Sequence, residues 1–182
     1  MNNFTSLLFM EKIASTLTTV YMDILDAIDL KLLDQLQRDA SLSNQALAAL
    51  VHVSPPTCLR RVRRLHEEGL IERQIAILSS DRLAPLFGHG LTAIVEITLD
   101  VQGESQQQAF EDRVTLDDAV QQCYRVASGP DFVLIVATRD MPAYLALTQR
   151  LFTSNANVRN VKTFFSVKRA KFEPKVPLAA YQ

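Results

Sequence analysis

The sequence of 182 residues has few of the residues on which several kinds of protein site depend. It contains only two cysteines, five glycines, three histidines and no tryptophan. Cys58 and Cys123 lie far apart in the chain, which excludes a disulfide framework and favours a reducing, cytoplasmic setting. His52, His66 and His89 do not combine with either cysteine at metal-ligand spacing, so we predict no metal site.

Enzyme motifs are missing as well. The sequence has no phosphate-binding loop and no glycine-flanked serine nucleophile. The segment 88–90 (GHG) precedes a predicted strand, whereas a dinucleotide loop follows a strand and opens a helix. Asp117 and Asp118 are explained more simply as loop charges than as an acid–base pair. The sequence therefore predicts a protein that is not an enzyme and that needs no cofactor.

Long apolar segments are absent, although 48% of the residues are hydrophobic. A helix that spans a bilayer needs about 18 to 20 apolar residues in a row, and the apolar stretch at 4–10 (FTSLLFM) is too short. The composition predicts a soluble protein with a substantial core and no membrane partner. The net charge of −1 argues against a protein that coats nucleic acid by general basicity. DNA binding would have to come from a local cluster of charge.

Such a cluster occurs within residues 43–69, which predict two short helices joined by a tight turn. Apolar residues recur at helical spacing from Asn44 to His52. Ser54 is a suitable N-cap for a second helix, and Pro55 suits its first position because the missing N–H costs nothing there. Gly69 suits the residue after the helix. The pattern is that of a helix-turn-helix.

The second helix is predicted to have two different sides. At about 100° per residue, the side expected to face the core comprises Cys58, Leu59, Val62, Leu65 and His66. The side expected to face solvent comprises Thr57, Arg60, Arg61 and Arg64, with Pro56 and Arg63 on one flank. We interpret the arginine side as a surface for the DNA major groove, read by the N-terminal part of the helix. The alternative is an ordinary solvated face on which Glu67 and Glu68 neutralise arginines.

The sequence on both sides of this motif also predicts how the chain is organised. Residues 1–22 show no clear period, and we expect them to form an extension outside the fold. An apolar pattern from Ile24 predicts a helix packed behind the helix-turn-helix, which gives a DNA-binding domain at 23–78. Its last part, Ile71 to Leu78, is expected to be a strand that forms a wing. Residues 79–90 contain Pro85 and two glycines and are expected to be a linker.

The second half has the order βαββαβ, which is that of a ferredoxin-like domain at 91–172, followed by a tail at 173–182. The predicted strands are Leu91–Leu99, Val120–Ala127, Phe132–Thr138 and Val158–Val167, and the predicted helices are Ser105–Leu116 and Met141–Ser154. Two helices can cover only one face of such a sheet. The residues assigned to the uncovered face are Val95, Ile97, Phe132, Leu134 and Phe165. An uncovered face of this composition predicts at least a dimer.

Both halves together resemble the Lrp/AsnC family of bacterial transcription regulators. The segments that carry the resemblance are LDAIDLKLLDQLQRDA at 25–40, LSNQALAALVHVSPPTCLRRVRRLHEEGLI at 42–71, VEITL at 95–99 and RVASGPDFVLIVATRDMPAY at 125–144. The resemblance implies an α+β protein, with a winged helix-turn-helix domain joined to a ferredoxin-like, RAM- or ACT-like effector domain. It also implies double-stranded DNA and an amino acid as partners, and a homodimer that assembles further, often into an octamer.

The resemblance assigns DNA binding to the region from Asn44 to Arg63. With the arginine side of the second helix, the predicted DNA-binding residues are Asn44, Ser54, Pro56, Thr57, Arg60, Arg61, Arg63 and Arg64. The expected function is that of a sequence-specific transcriptional regulator that responds to an amino acid or a related small molecule. Two alternatives remain open at this point: an architectural DNA-binding protein, and an amino-acid sensor whose helix-turn-helix is silent.

The resemblance also places an effector pocket between dimers, lined by the turn that includes Gly129 and Asp131. Gly129 lets a ligand approach the backbone closely, and Asp131 can accept a charge-assisted hydrogen bond from the ammonium of an amino acid. The alternative is that Asp131 only caps the turn. Two phenylalanines of the last strand are expected to form the wall around the ligand side chain. The predicted effector-binding residues are Ser128, Gly129, Pro130, Asp131, Phe164 and Phe165.

Overall fold

The structure, a computed structural model, describes residues 25–88, 90–154 and 157–178. The chain forms two compact units. Of the described residues, one unit contains 25–76 together with 173–178, and the other runs from Ile77 to Phe172. The predicted extension at 1–22 lies outside the described residues.

The described part of the first unit contains three helices around one core. They are α1 (Ala27–Leu36), α2 (Asn44–Leu50) and α3 (Pro55–Glu67). The buried residues that they share are Leu32, Leu47, Ala48, Val51, Cys58 and Leu65. Cys58 is fully buried, and this burial raises the pKa of its thiol. A thiol that is held protonated among apolar side chains packs as a small hydrophobic group.

The N-terminus of α1 is closed by a reciprocal pair of carboxylates. The Asp26 carboxylate accepts hydrogen bonds from the N–H groups of Ile28 and Asp29 at 2.9 and 3.0 Å. The Asp29 carboxylate accepts in turn from the Asp26 N–H at 3.2 Å. This capping box satisfies N–H groups that have no partner within the helix. It also directs two negative charges to one point on the surface of α1.

The turn between α2 and α3 depends on a residue that the sequence does not mark as a turn residue. His52 has a φ of +58°, in the left-handed region that glycine and asparagine usually supply. The chain then enters α3 with Ser54 as the N-cap and Pro55 as the first helical residue, as the sequence predicts. The Ser54 hydroxyl, however, bonds to the Thr57 hydroxyl at 2.9 Å and not to a backbone N–H. Gly69, with a φ of +70°, follows the helix as predicted.

The predicted wing strand at 71–78 does not form. Residues 71–79 are assigned to neither helix nor strand, and Ile75, Ile77 and Leu78 are exposed. A strand needs a neighbouring strand for its hydrogen bonds, and none lies beside this segment among the described residues. The chain instead enters a short helix, α4 (Ser80–Phe87), so the predicted linker contains regular structure.

The second unit confirms the predicted βαββαβ order. Its elements are β1 (Leu91–Leu99), α5 (Glu104–Val114), β2 (Val120–Arg125), β3 (Phe132–Thr138), α6 (Met141–Thr148) and β4 (Val158–Phe165). A π-helical turn, Gln149–Thr153, extends α6. The sheet order is β2-β3-β1-β4, and every neighbouring pair is antiparallel. Strands β1 and β3 have the predicted bounds.

The assignment of residues to the two sheet faces is wrong. Val95, Ile97, Phe132 and Leu134 are fully buried beneath the helices, where the Phe132 ring lies 4.7 Å from the ring of Phe110 in α5. Phe165 faces the same side and contacts the ring of Tyr144 edge-on at 5.1 Å. Alternation divides a strand into two sets of side chains, but it does not say which set meets the helices.

The other side of the sheet, which we call the bare face, carries a different apolar set. The register places Ile94 opposite Ile135 on β3 and opposite Phe164 on β4. Tyr124 of β2 lies opposite Val133 on the same face. Ile94, Phe164 and Tyr124 are all exposed. The bare face therefore still presents apolar surface, although none of the residues predicted for it lies there.

Candidate DNA-binding surface and effector site

The exposed side of α3 is rotated relative to the prediction. Its exposed residues are Pro55, Pro56, Leu59, Arg60, Arg63, His66 and Glu67. Leu59 and His66, which are predicted to face the core, face solvent instead. Cys58 and Leu65 are fully buried, while Arg61 and Arg64 are partly buried. The exposure of Arg60 is as predicted. Arg63, predicted only for the flank, is exposed as well, whereas Arg61 and Arg64 are partly covered.

Arg61 and Arg64 bind the carboxylates at the start of α1. Arg61 Nη1 donates to Asp26 Oδ2 at 2.7 Å and to Asp29 Oδ1 at 2.9 Å. Arg64 Nη2 donates to Asp29 Oδ2 at 2.6 Å. The Arg61 side chain is 18% exposed and the Asp29 side chain 1% exposed. The prediction that Arg61 and Arg64 lie on the solvent side is wrong, because that side of α3 meets the acidic end of another helix.

In this ion cluster, formed by Asp26, Asp29, Arg61 and Arg64, the pKa values of two groups are shifted in the direction that favours the charged form. Burial raises the pKa of Asp26, but hydrogen bonds from the Asp29 N–H, the Arg61 guanidinium and the Ile28 N–H together hold it below its usual value. The hydrogen bond to Asp29, and then the one to Asp26, raise the pKa of Arg61. Arg61 Nε and Arg64 Nε are buried without a hydrogen-bond partner. The ion pairs of this cluster hold α3 against the start of α1.

Arg60 and Arg63 remain on the outward surface. Within the described chain, no hydrogen bond or ion pair engages Arg60. Arg63 Nε forms an ion pair with Glu67 Oε1 at 2.8 Å, one turn along the same helix, and both side chains are largely exposed. An exposed pair of this kind contributes only about 0.3–0.5 kcal/mol. Both arginines are therefore available to an external anion.

The other predicted DNA-binding residues lie at the N-terminal end of α3. Asn44 Nδ2 donates to the Pro55 carbonyl at 2.9 Å and so joins the starts of α2 and α3. Ser54 and Pro56 are exposed, and Thr57 is partly covered. Asn44 thus has a structural partner already, whereas Ser54 and Pro56 share the outward surface with Arg60 and Arg63.

The turn at 128–131 is anchored within its own unit. Asp131 is buried, and its Oδ2 atom accepts from the Leu99 N–H at 2.7 Å and from Gln102 Nε2 at 3.2 Å. The Asp131 N–H donates to the Ile97 carbonyl at 2.8 Å. Ser128 and Gly129 are exposed, and Gly129 has a φ of +88°. Asp131 therefore has a structural role that joins the turn to β1, whether or not it also meets a ligand.

The predicted phenylalanine wall does not lie beside this turn in the same chain. Strands β3 and β4 both run antiparallel to β1, so their starts share one end of the sheet. Phe132 pairs with Ile97, while Phe165 pairs with Ala93. Four residue steps along β1, or about 14 Å at ~3.4 Å each, separate the two positions. Phe164 and Phe165 also point to opposite faces, so they cannot form one wall.

The described residues contain no group of three or more His, Cys, Asp or Glu side chains that could hold a metal ion. Within the same part of the chain, no helix is long and apolar enough to cross a membrane. An open groove of about 380 Å³ lies between α6 and the sheet. Its Arg150 already donates to Asp117 at 2.9 Å, and its Arg139 to Asp140 at 3.0 Å.

Comparison with known proteins agrees with both units. Residues 25–72 match the winged helix-turn-helix DNA-binding model, and residues 92–176 match the Lrp/AsnC ligand binding domain. The chain belongs to the Lrp/AsnC family of transcriptional regulators. A leucine-responsive regulatory protein of Rhizobium meliloti is 33% identical over 81% of this chain and 92% of its own length. The Bkd operon transcriptional regulator of Pseudomonas aeruginosa is 33% identical over 85% of this chain and 98% of its own.

Solved structures of Lrp/AsnC regulators have the same fold as this chain. An AsnC family transcriptional regulator from Agrobacterium tumefaciens has a TM-score of 0.76 and 27% identity, and the match covers 87% of this chain and 100% of that one. A transcriptional regulator from Neisseria meningitidis, solved as a complex with L-Met, has a TM-score of 0.76 and 26% identity, and the match covers 87% and 99%.

In this Lrp/AsnC regulator, two features of α3 are not predicted from the sequence. The first is the ion cluster, although Asp26 and Asp29 have the same three-residue spacing as Arg61 and Arg64. That matched spacing is a signal that could have predicted the contact. The second is the exposure of Leu59, which a helical wheel places beside core residues. No signal in the sequence distinguishes Leu59 from them.

Proposed function

We propose that this chain is a sequence-specific, amino-acid-responsive transcriptional regulator that binds double-stranded DNA as a dimer or higher oligomer in the cytoplasm. The observation that carries the proposal is the division of the arginines of α3. Arg61 and Arg64 hold the helix against α1, while Arg60 and Arg63 face outward. A helix fixed from behind can present its outward groups in a constant orientation, as base reading requires.

The outward surface of α3 has the chemistry that DNA recognition uses. A guanidinium can donate two parallel hydrogen bonds to the O6 and N7 atoms of guanine in the major groove. The start of α3 adds little to a phosphate site, because Pro55 and Pro56 carry no N–H and the Cys58 N–H already donates to the Ser54 carbonyl at 3.0 Å. A phosphate contact therefore depends on the exposed arginine side chains. Arg60 is thus proposed as a base contact, and Arg63 as a phosphate contact.

Replacement of Arg60 by alanine is expected to weaken binding to a selected operator by about 5- to 150-fold, because one bidentate base contact contributes about 1–3 kcal/mol. Arg63→Ala should weaken binding to all sequences alike. It should also reduce the slope of log affinity against log salt concentration by about one, the change expected when one phosphate contact is lost. Fluorescence anisotropy on a sequence selected from random DNA measures both effects. Arg38→Ala, which removes an exposed arginine in the turn that follows α1, is the matched control.

The same titrations distinguish the alternative functions. Unchanged affinity in both variants would contradict the assignment of α3 as the recognition helix. A wild-type protein that binds every sequence equally would indicate an architectural DNA-binding protein. A protein that binds an amino acid but no DNA would indicate a sensor with a silent helix-turn-helix.

For the effector, we propose a free amino acid bound at the turn 128–131. The match to a ligand-binding domain and the L-Met complex of a similar structure support this class of ligand. The exposed Ser128 and Gly129 offer backbone groups to a ligand. Asp131 supplies a carboxylate, of which only Oδ2 is engaged in the hydrogen bonds described above.

Asp131→Asn tests this site better than Asp131→Ala, because asparagine keeps an oxygen for the Leu99 N–H. We expect the variant to remain folded and to lose at least tenfold in affinity for the amino acid that the wild type binds, since the charge-assisted hydrogen bond is lost. Calorimetric titration after a thermal-shift screen of the common amino acids provides the measurement, with the exposed Asp112→Asn as the control. If wild type and Asp131→Asn bind the amino acid with equal affinity, Asp131 has only a structural role and the effector site lies elsewhere.

A further inference from the structure

The outward side of α3 presents a leucine to solvent. Leu59 is 60% exposed, although its sequence neighbour Cys58 is fully buried. The core of the first unit is complete without it, since the buried cluster and the residues packed around it do not include Leu59. Exposure of a large apolar side chain brings the fold no burial energy. Leu59 is therefore available for a contact outside the first unit.

The position of Leu59 within the helix indicates what that contact is. Leu59 is the fifth residue of α3 and so belongs to the N-terminal half, which is the part that reads base edges in this motif. Its neighbours on the surface, Pro56 and Arg63, lie three residues before it and four residues after it and are both exposed. Arg60, which follows it directly, is exposed as well. An apolar side chain is thus flanked by two cations on a surface suited to a polyanion.

Base edges in the major groove offer one apolar group, the C5-methyl of thymine. We propose that Leu59 reads this methyl group and makes the regulator selective for a thymine near the base that Arg60 contacts. The inference rests on the proposed DNA-binding function and adds a base preference to it. A polar base edge at this position would lose water against an apolar side chain without gaining a hydrogen bond, so the other bases are disfavoured.

The test replaces each thymine of a selected operator, one at a time, by deoxyuridine, which lacks only the methyl group. Loss of one buried methyl group corresponds to a loss in affinity of about fourfold. We expect wild-type protein to show this loss at one thymine in each half-site. Leu59→Ala should bind the unmodified operator more weakly and should be insensitive to deoxyuridine at that same thymine. Leu145→Ala removes a leucine of nearly equal exposure, 59%, from the other unit and is the matched control.

Each outcome decides the inference. A thymine whose replacement affects wild type but not Leu59→Ala supports it, because the coupling isolates the contact between the two groups. The inference is overturned if no thymine is sensitive to replacement, or if wild type and Leu59→Ala lose the same affinity at that thymine. In both cases the proposed operator binding is unaffected. A change of mass by light scattering in Leu59→Ala would assign the leucine to a contact between copies, which also overturns it. Absence of any sequence preference in the wild type would refute the proposed function itself.

Discussion

Replacement of Asp29 by alanine is expected to lower the free energy of unfolding of the first unit by about 3 kcal/mol, the lower end of the range for removal of one partner from a buried ion pair. The Asp29 carboxylate is 1% exposed and accepts from Arg61, Arg64 and the Asp26 N–H. Its loss would leave Arg61 with Asp26 alone, at 2.7 Å, and Arg64 with Glu68 alone, at 3.7 Å. Because the cluster also holds α3, we expect operator binding to be lost at temperatures where the wild type binds.

Urea unfolding followed by circular dichroism measures this effect. Asp34→Ala is the matched control, because it removes the pair between Asp34 of α1 and the exposed Arg38, which follows the helix, and should cost less than about 1 kcal/mol. Replacement of Asp29, Arg61 and Arg64 together by leucine or methionine should restore much of the stability, as apolar substitutes for buried ion pairs often do. An Asp29→Ala variant as stable as Asp34→Ala would show that the cluster does not fix the helices.

The same cluster determines a dependence on pH. The pKa of Asp26 is lower in the folded protein than in the unfolded chain, so the unfolded state binds the proton more readily. The contribution of Asp26 is therefore fully present above about pH 4, the range of a free aspartate, and is lost as the pH falls through the lower folded value. In the Asp26→Asn variant this part of the acid dependence should be absent.

The strand and helix order of the second unit could be predicted from the sequence because each element carries its own period. β1 alternates with one buried side, and β3 is a continuous apolar run, and the structure gives both strands their predicted bounds. Local rules also predicted the start of α3 at Ser54 and the residue after its end, Gly69. Such features depend on neighbours within a few residues along the chain, which the sequence displays directly.

The errors share a different origin, since each depends on what an element packs against. A period shows that β1 and α3 have two sides, but not that Val95 faces helices or that Arg61 faces Asp29. Strand direction and register place Phe164 and Phe165 away from the turn at 131, and neither can be derived from one strand alone. The turn at His52 likewise depends on the packing of α2 against α3, because histidine has no strong preference for its positive φ.

The bare face of the sheet leads to a prediction about both assembly and DNA binding. Ile94 lies opposite Phe164 in the register, and both are exposed, with 44% of Phe164 accessible. We propose that a second copy covers this face, since an isolated chain leaves its aromatic and aliphatic side chains in water. Phe164→Asp would bury a charge at that interface. We therefore expect a dimer of the wild type by light scattering and a monomer of the variant at the same micromolar concentration.

Loss of the dimer should weaken operator binding by about 10²-fold or more, because two linked recognition helices raise the effective concentration of the second binding event. In the dimer, the two α3 helices would meet half-sites about 34–36 Å apart, one turn of DNA. Leu116→Asp, at a residue 86% exposed in a loop, introduces the same charge away from the sheet and should change neither mass nor affinity. If Phe164→Asp stays dimeric and binds the operator as tightly as Leu116→Asp does, the copies must associate through another surface.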